Sequence, residues 1–523
     1  MERLWKSDLG DGNFKNPVLF ADYSDPDIIR VGDTYYLTAS SFNYIPGLPI
    51  LTSKDLVNWK LVNYAIDKID YPGYEIPQHA KGVWAPAIRF HEGMFYIYYG
   101  MPDEGIFMVR AKDPLGTWET PVLVLEGKGL IDSCPFWDED GKAYIIHGYA
   151  KSRIGFKSHL GIFPMSWDGT KAIGEDHILY DGLKTQPTIE GPKVYKRNGY
   201  YYIFAPAGGV KQGWQTVLRS KNIYGPYEEK IVMRQGNSTV NGPHQGALVD
   251  TVNGDEWFLH FQDRGMYGRI MHMQPVVWEE DWPVIGVNAK DGCGEPVMVC
   301  KKPDTGVAEE PCYLEASDDF EKPQLNLMWQ WLGNPRDSFY SLTEKPGMLR
   351  LYCVNPSGKE NAILWEEANV LTQKLVCPLF SAETKLMLDG LVEGTQAGMT
   401  MMGGDYAYLG VRVVKGSKML VLSVSSDADE GKQEKSATLE VLPETQEAVY
   451  LRFVMEEGGN GVSFRMFYSL DGTDYKEEGT HSHFMPSDHT WVGAKIGLFA
   501  NTLGKAEQGG YGDFSYIHVA AIS

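Results

Sequence analysis

Three acidic residues, Asp25, Asp132 and Glu190, each open a segment of one recurring pattern. The pattern is a polar or aromatic residue, a short run with Pro or Gly, two or three strand formers, a turn, then aromatics. It reads Asp25-Pro-Asp-Ile-Ile-Arg-Val-Gly-Asp-Thr-Tyr-Tyr36 in the first copy and Trp84-Ala-Pro-Ala-Ile-Arg-Phe-His-Glu-Gly-Met-Phe-Tyr96 in the second. The remaining copies begin at Asp132, Glu190 and His244. Acids at matching positions of a repeat are candidates for one shared chamber, where like charges raise one another's pKa. Glycoside hydrolysis uses such a set. One carboxyl is protonated to assist the leaving oxygen and another is ionised. A third can hold the acid's proton and orientation through its negative field.

Each residue also has a simpler reading. Asp25 precedes Pro26, and Asp-Pro commonly starts a turn. Asp132 could cap a turn after Leu130-Ile131, and a lone Glu190 before Gly191-Pro192 could sit at the surface. His244 fits a hydrogen-bonded structural histidine, or a substrate or axial-ion role. Phe42 and Trp84 fit either a core or the mouth of a sugar pocket. Arg269 fits a surface position, or a forked donor to sugar hydroxyls. The shared register of the three acids is what favours the chemical reading.

The elements that must position these residues follow from the repeat. Successive copies start 48–59 residues apart, and each reads as strand, Gly-containing turn, strand. A second strand pair fills each period, as around Ser53-Lys54-Asp55. Four strands per unit is the content of one propeller blade, so five units predict a five-bladed β-propeller over residues 1–300. Equivalent positions on five blades form a ring, so Asp25, Trp84, Asp132, Glu190 and His244 are expected to converge at one end of the axis. The repeat stops after Val287. Residues 301–316 have linker composition, and residues 317–523 carry short alternating strands such as Val449-Tyr-Leu-Arg-Phe-Val454, which read as a β-sandwich. The fold class is all-β.

Composition narrows the partners. The 523-residue chain carries 48 Lys and Arg against 69 Asp and Glu, a net charge of −21. That balance disfavours nucleic acid, anionic membranes and polyanionic sugars, and favours a neutral substrate. Aromatics at 12% suit sheets and sugar-stacking surfaces. Six cysteines with no CxxC pair point to free thiols and no zinc site of common spacing. Residues 1–16 lack the apolar core of a signal peptide, so a cytoplasmic location is expected, or a periplasmic or secreted one if a leader has been removed. No apolar run is long enough for a membrane span. A homo-oligomer is left open.

The assembled motifs resemble glycoside hydrolase family 43, which includes β-xylosidases and α-L-arabinofuranosidases. They are Asn16-Pro17 leading to Asp25-Pro26, Ser41-Phe42-Asn-Tyr-Ile-Pro-Gly47, the stretch from Ile50 through Ser53-Lys-Asp-Leu-Val-Asn-Trp59, and Val83-Trp-Ala-Pro86. Ile131-Asp132 with Asp138-Glu-Asp-Gly141, Glu190-Gly-Pro192 with Asn198-Gly-Tyr-Tyr-Tyr202, His244-Gln-Gly246, Gly268-Arg269 and Trp282-Pro283-Val284 complete the first domain. Asp318-Asp-Phe320, Leu325-Asn326, Trp329-Gln-Trp331 and Gly512-Asp513-Phe514 resemble the concanavalin-like sandwich that follows the propeller in the xylosidase branch. The resemblance implies exo-acting hydrolysis of neutral hemicellulose oligosaccharides, with inversion and release of terminal β-D-xylose or α-L-arabinofuranose. Asp25 would be the general base and Glu190 the general acid, about 6.5–9.5 Å apart to admit water. Asp132 would raise the acid's pKa and orient it. Phe42 and Trp84 would line the sugar pocket, Arg269 would bind hydroxyls, and His244 would lie near the axis. No cofactor is required, although an axial Ca2+ or a water is admitted there. The sandwich would narrow the pocket from one side.

Two departures from the xylosidase pattern leave the choice of pentose open. One is Tyr23-Ser24 ahead of Asp25 with Asp27 after Pro26, and the other is Ala205-Pro-Ala-Gly-Gly-Val210. A retaining fructan hydrolase on a similar propeller is the alternative enzyme, but Ser24, Asp27 and Glu190-Gly191 depart from its motifs. A non-catalytic sugar-binding propeller is the alternative from another class, and the retention of all three acids argues against it.

Overall fold

A computed structural model describes residues 4–307, 309–458, 461–478, 484–504 and 509–522. Five antiparallel four-stranded ladders follow one another along the chain. The first blade comprises Asp27–Val31, Thr34–Thr38, Gly47–Ser53 and Lys60–Ile66. The later blades begin with the strands Trp84–His91, Leu130–Trp137, Lys193–Arg197 and His244–Asp250. The first strands pack around a common axis, as the repeat predicts. Second strands such as Met94–Met101 are almost wholly buried, while the outer Val122–Glu126 is largely exposed. A strand covered on both faces needs a near-continuous apolar run, which explains Met94-Phe-Tyr-Ile-Tyr-Tyr.

Each blade is entered through a residue in the left-handed region: Asp25, Ala85, Asp132, Gly191 and Gln245. The ladders slip beside three of them, between Trp84 and Ala87, Ile131 and Cys134, and His244 and Gly246. This corrects the register read from the repeat. Asp25 and Asp132 occupy the left-handed position itself, whereas Trp84, Glu190 and His244 stand one residue earlier. The bulge re-aims the chain at the axis, so neighbouring positions converge on the same end. A non-glycine residue there costs about 1–3 kcal/mol, and such strain gathers at functional sites.

The ring is closed by the chain's beginning. Asn13–Lys15 pairs with Val299–Lys301, and Leu19 bridges to Met271 of the fifth blade. The Asn16 side chain donates to the carbonyls of Met273 and Val297, and its oxygen accepts the Met273 N–H. Beyond Val287 the repeat ends but the strands do not. Val287–Lys290 and Cys293–Glu295 return to the outer edge of the fourth blade and make a six-stranded sheet.

The second domain is a sandwich of two seven-stranded sheets. One sheet contains Thr395–Met402 and Lys495–Thr502, buried at every residue. The other contains Phe380–Met387, which alternates buried and half-buried positions. The difference follows from packing. The first sheet is covered on one face by its partner sheet and on the other by the propeller, where Met402, Tyr406 and Phe499 share a cluster with Phe42, Trp84 and Ile131. Backbone bonds between Ile45 and Trp331, and side-chain bonds from Asn43 to Leu332 and from Asn334 to Ile69, seam the domains together. Among the described residues no disulfide is formed. Among the described residues no helix is long and apolar enough to cross a membrane.

Replacing Asn16 with Ala leaves buried backbone groups of two chain segments without partners. The expected loss is about 2–4 kcal/mol, from several such groups at 1–3 each, read by equilibrium urea unfolding.

Candidate active site

Asp25 is held from three sides. Its Oδ2 accepts the hydroxyls of Ser24 (2.7 Å) and Ser40 (2.6 Å), and its Oδ1 accepts Arg269 Nη1 (3.0 Å). The same Nη1 donates to Ser24 Oγ, and Ser40 Oγ accepts the Ala85 N–H. The carboxylate is thereby tied to the first, second and fifth blades. Ser24, a departure from the xylosidase pattern, is part of this clamp. Two residues on, the buried Asp27 accepts the Ile88 N–H and Arg89 Nη1, which fixes the first blade against the second.

Asp132 and Glu190 face each other across the third and fourth blades. Asp132 Oδ2 accepts the Gly191 N–H at 2.8 Å. Gly148 lies beside both, where a Cβ would meet Asp132 Oδ2 at 3.5 Å and Glu190 Cα at 3.9 Å, ordinary contact distances. Glu190 Oε1 lies 2.8 Å from His244 Nε2. Burial pushes the Asp132 carboxyl up to about 7, reinforced by the charges of Glu190 and Asp25. Burial opposes ionisation of Glu190 as well, but the His244 hydrogen bond and the positive charges of Arg269 and Lys157 help to bring it below the ordinary value. The two carboxyls titrate as a pair that keeps one proton to near neutrality.

An aromatic wall stands beside the acids. Phe42 and Trp84 have ring centres 6.4 Å apart. Trp491, from the sandwich, lies parallel to Phe42 at 6.5 Å and edge-on to Trp84 at 4.6 Å. The Arg153 guanidinium lies 5.1 Å from the Trp84 ring centre. All seven sequence-selected residues (Asp25, Phe42, Trp84, Asp132, Glu190, His244 and Arg269) belong to this one region. Sequence reasoning missed Ser40 and Trp491. Ser40 follows the first hairpin without any distinguishing motif. Trp491 comes from a segment whose only signal is Trp-Val-Gly ahead of a strand.

The model of glycosyl hydrolases family 43 matches residues 14–283, the span that holds the ring and all three acids. The chain belongs to this family. The family 43 propeller is followed by a match over residues 317–520 to the beta xylosidase C-terminal concanavalin A-like domain. A putative beta-xylosidase of Xylanibacter ruminicola is 38% identical, over 95% of this chain and 88% of the relative. A non-reducing end alpha-L-arabinofuranosidase of Bacteroides ovatus is 32% identical, over 77% of this chain and 76% of the relative. Among solved structures, a bifunctional GH43-CE protein of Bacteroides eggerthii superposes with TM-score 0.81 at 30% identity. The match covers 97% of this chain, which spans 64% of that longer protein. The family 43 chain is therefore a glycoside hydrolase on a five-bladed propeller with a concanavalin-like sandwich, and the fructan-hydrolase alternative is not favoured. One face of the sandwich is closed. The sheet surface bearing Tyr406 and Tyr408 is covered by Ile363, Leu364 and Trp365.

Among the described residues no group of three or more His, Cys, Asp or Glu is placed to hold a metal ion.

A raised carboxyl binds its proton more tightly when folded, so Asp132 lowers stability as pH climbs from about 4 to about 7. Asp132→Asn removes that cost while its amide oxygen can still accept the Gly191 N–H. Calorimetry is expected to give a higher thermal midpoint than wild type at pH 8 and an equal one at pH 4.

Proposed function

We propose that the chain hydrolyses terminal pentosides of short neutral oligosaccharides with inversion, and that Asp25, Asp132 and Glu190 carry the reaction. The observation behind this reading is the clamped Asp25 facing a buried carboxyl pair that holds a single proton. Asp25 takes a proton from the attacking water, and Ser24, Ser40 and Arg269 fix its direction. The leaving oxygen accepts a proton from Glu190. With the sugar in place, that oxygen favours the neutral form of Glu190, which then carries the proton of the pair. Asp132, then ionised, stabilises the protonated acid. After turnover the pair regains its proton from solvent, and Asp25 returns its own.

Arg269 has a buried Nε without a partner, which suits a donor to sugar hydroxyls. Phe42, Trp84 and Trp491 supply apolar faces for the ring. The sandwich stands against one side of the pocket, which favours a chain end over an internal unit. No step calls on a cofactor. A β-D-xyloside is the favoured substrate, because the 38%-identical relative named a putative beta-xylosidase covers most of both chains. The arabinofuranosidase relative keeps α-L-arabinofuranosides as the second reading.

Rates on nitrophenyl β-xyloside and nitrophenyl α-L-arabinofuranoside decide between the two, and NMR of the first-released anomer is expected to show α-xylose from the β-xyloside. Asp25→Asn and Glu190→Gln are each expected to lower kcat/KM at least about a thousandfold, the two groups acting in one transition state. Full activity in either variant refutes the assignment. Activity is expected to fall as pH rises above about 7, when the pair loses its proton. In Asp132→Asn the residual activity should show this alkaline limb at lower pH, because Glu190 then lacks the neighbouring charge.

A further inference from the structure

Asp22 is buried where the two domains meet, three residues before the proposed base. Its two oxygens serve different domains. Oδ1 accepts the backbone N–H of Arg269 at 2.9 Å, and Oδ2 accepts the backbone N–H of Gly493 at 3.0 Å. Arg269 is the residue whose side chain holds Asp25, and Gly493 stands two residues after Trp491. A further bond, from the Ala494 N–H to the Met266 carbonyl at 2.7 Å, docks the same sandwich segment on the turn before Arg269.

The fit leaves no slack. A Cβ at Gly493 would lie 2.5 Å from the Gly268 nitrogen, and one at Gly268 would lie 2.4 Å from the Asp22 carboxyl. Lys495 Nζ lies 3.4 Å from Oδ2 and packs over the Tyr44 ring, while Lys374 packs over the Tyr23 ring. Burial opposes ionisation of Asp22, but these two lysines and the two N–H donors outweigh it. The group is therefore a carboxylate, an acceptor at both oxygens.

We propose that Asp22 is the positioning residue that registers Trp491 of the sandwich against Arg269 of the propeller, so that the two halves of the sugar pocket are set by one carboxylate. The inference rests on the proposed reading of Arg269 and Trp491 as groups that hold the sugar. Asp22 touches neither sugar nor water and acts through both backbones. A loss of register moves both walls of the pocket but removes only one of the bonds that hold Asp25, the one from Arg269, while Ser40 and the Asp132–Glu190 pair are untouched, so sugar binding suffers more than proton transfer.

The test is Asp22→Asn in the full chain, which keeps the volume but turns one acceptor into a donor facing an N–H. KM for nitrophenyl β-xyloside, or for the arabinofuranoside if that is the better substrate, is expected to rise at least tenfold. The dissociation constant of the free pentose, by calorimetry, should rise in step. kcat should fall by a smaller factor than KM rises, with an unshifted pH profile, at a temperature where circular dichroism shows full folding. A purely structural role would lower the thermal midpoint and leave KM unchanged, and that result overturns the proposal. If Asp22→Asn does not fold, Gly493→Ala, which forces the same two backbones apart while retaining the carboxylate, is read by the same split. Failure of both to fold also overturns it, because the contact would then serve the fold and not the pocket. If the unaltered chain cleaves neither nitrophenyl glycoside, the functional reading has failed. If it is active and Asp22→Asn matches its KM, only the positioning role has failed.

Discussion

Crowding of like charge inside a closed ring is the constraint on which the rest depends. Three carboxylates enter from the first, third and fourth blades, and none can retreat, because the ladders behind them are hydrogen-bonded along their length. Two of the three sit on left-handed residues, a conformation that side chains adopt at a cost. Ring closure maintains that cost. The Asn16 bonds and the pairing of Asn13–Lys15 with Val299–Lys301 hold the ends of the propeller together. The acids have nowhere to relax, so they settle their repulsion by sharing a proton.

Positive groups divide the chamber into two kinds of environment. Arg269 and two hydroxyls occupy both oxygens of Asp25. Asp132 has one backbone N–H, and burial dominates it. Glu190 stands between, with His244 at hydrogen-bond distance. The neighbouring Asp132 and Glu190 carboxyls are thus pushed in opposite directions. Burial and the charges of Glu190 and Asp25 hold the Asp132 carboxyl up, so the pair keeps a proton to near neutrality.

The sandwich is structural and also part of the pocket wall. Its first sheet is covered on both faces, and its Ile363–Trp365 segment fills the surface that a sugar-binding sandwich would leave open. What it gives the site is Trp491, delivered by a segment whose backbone touches the turn ahead of Arg269. Contact at backbone distance allows little rotation between domains, so the aromatic wall and the guanidinium move as one body.

Much of this was legible in the residues. The recurring strand-turn-strand segments set the five blades, and the acids at their starts marked Asp25, Asp132 and Glu190. Alternation of the kind seen in Phe380–Met387 set the sandwich. These signals are local, because strand patterning and turn chemistry act over a few residues. The one-residue offset between the two aspartates and Glu190 was not legible, since it is a matter of which residue takes the left-handed backbone at each blade entry, and that is decided only when the blades pack. Ser40, Trp491 and the Asp22 bridge were not legible either. Each acquires its role from a partner more than ten residues away, up to 471 in the case of Gly493 and Asp22. The opposite shifts of the Asp132 and Glu190 carboxyls are likewise a property of the folded chamber, because they depend on burial and on distances among charges that no linear pattern encodes.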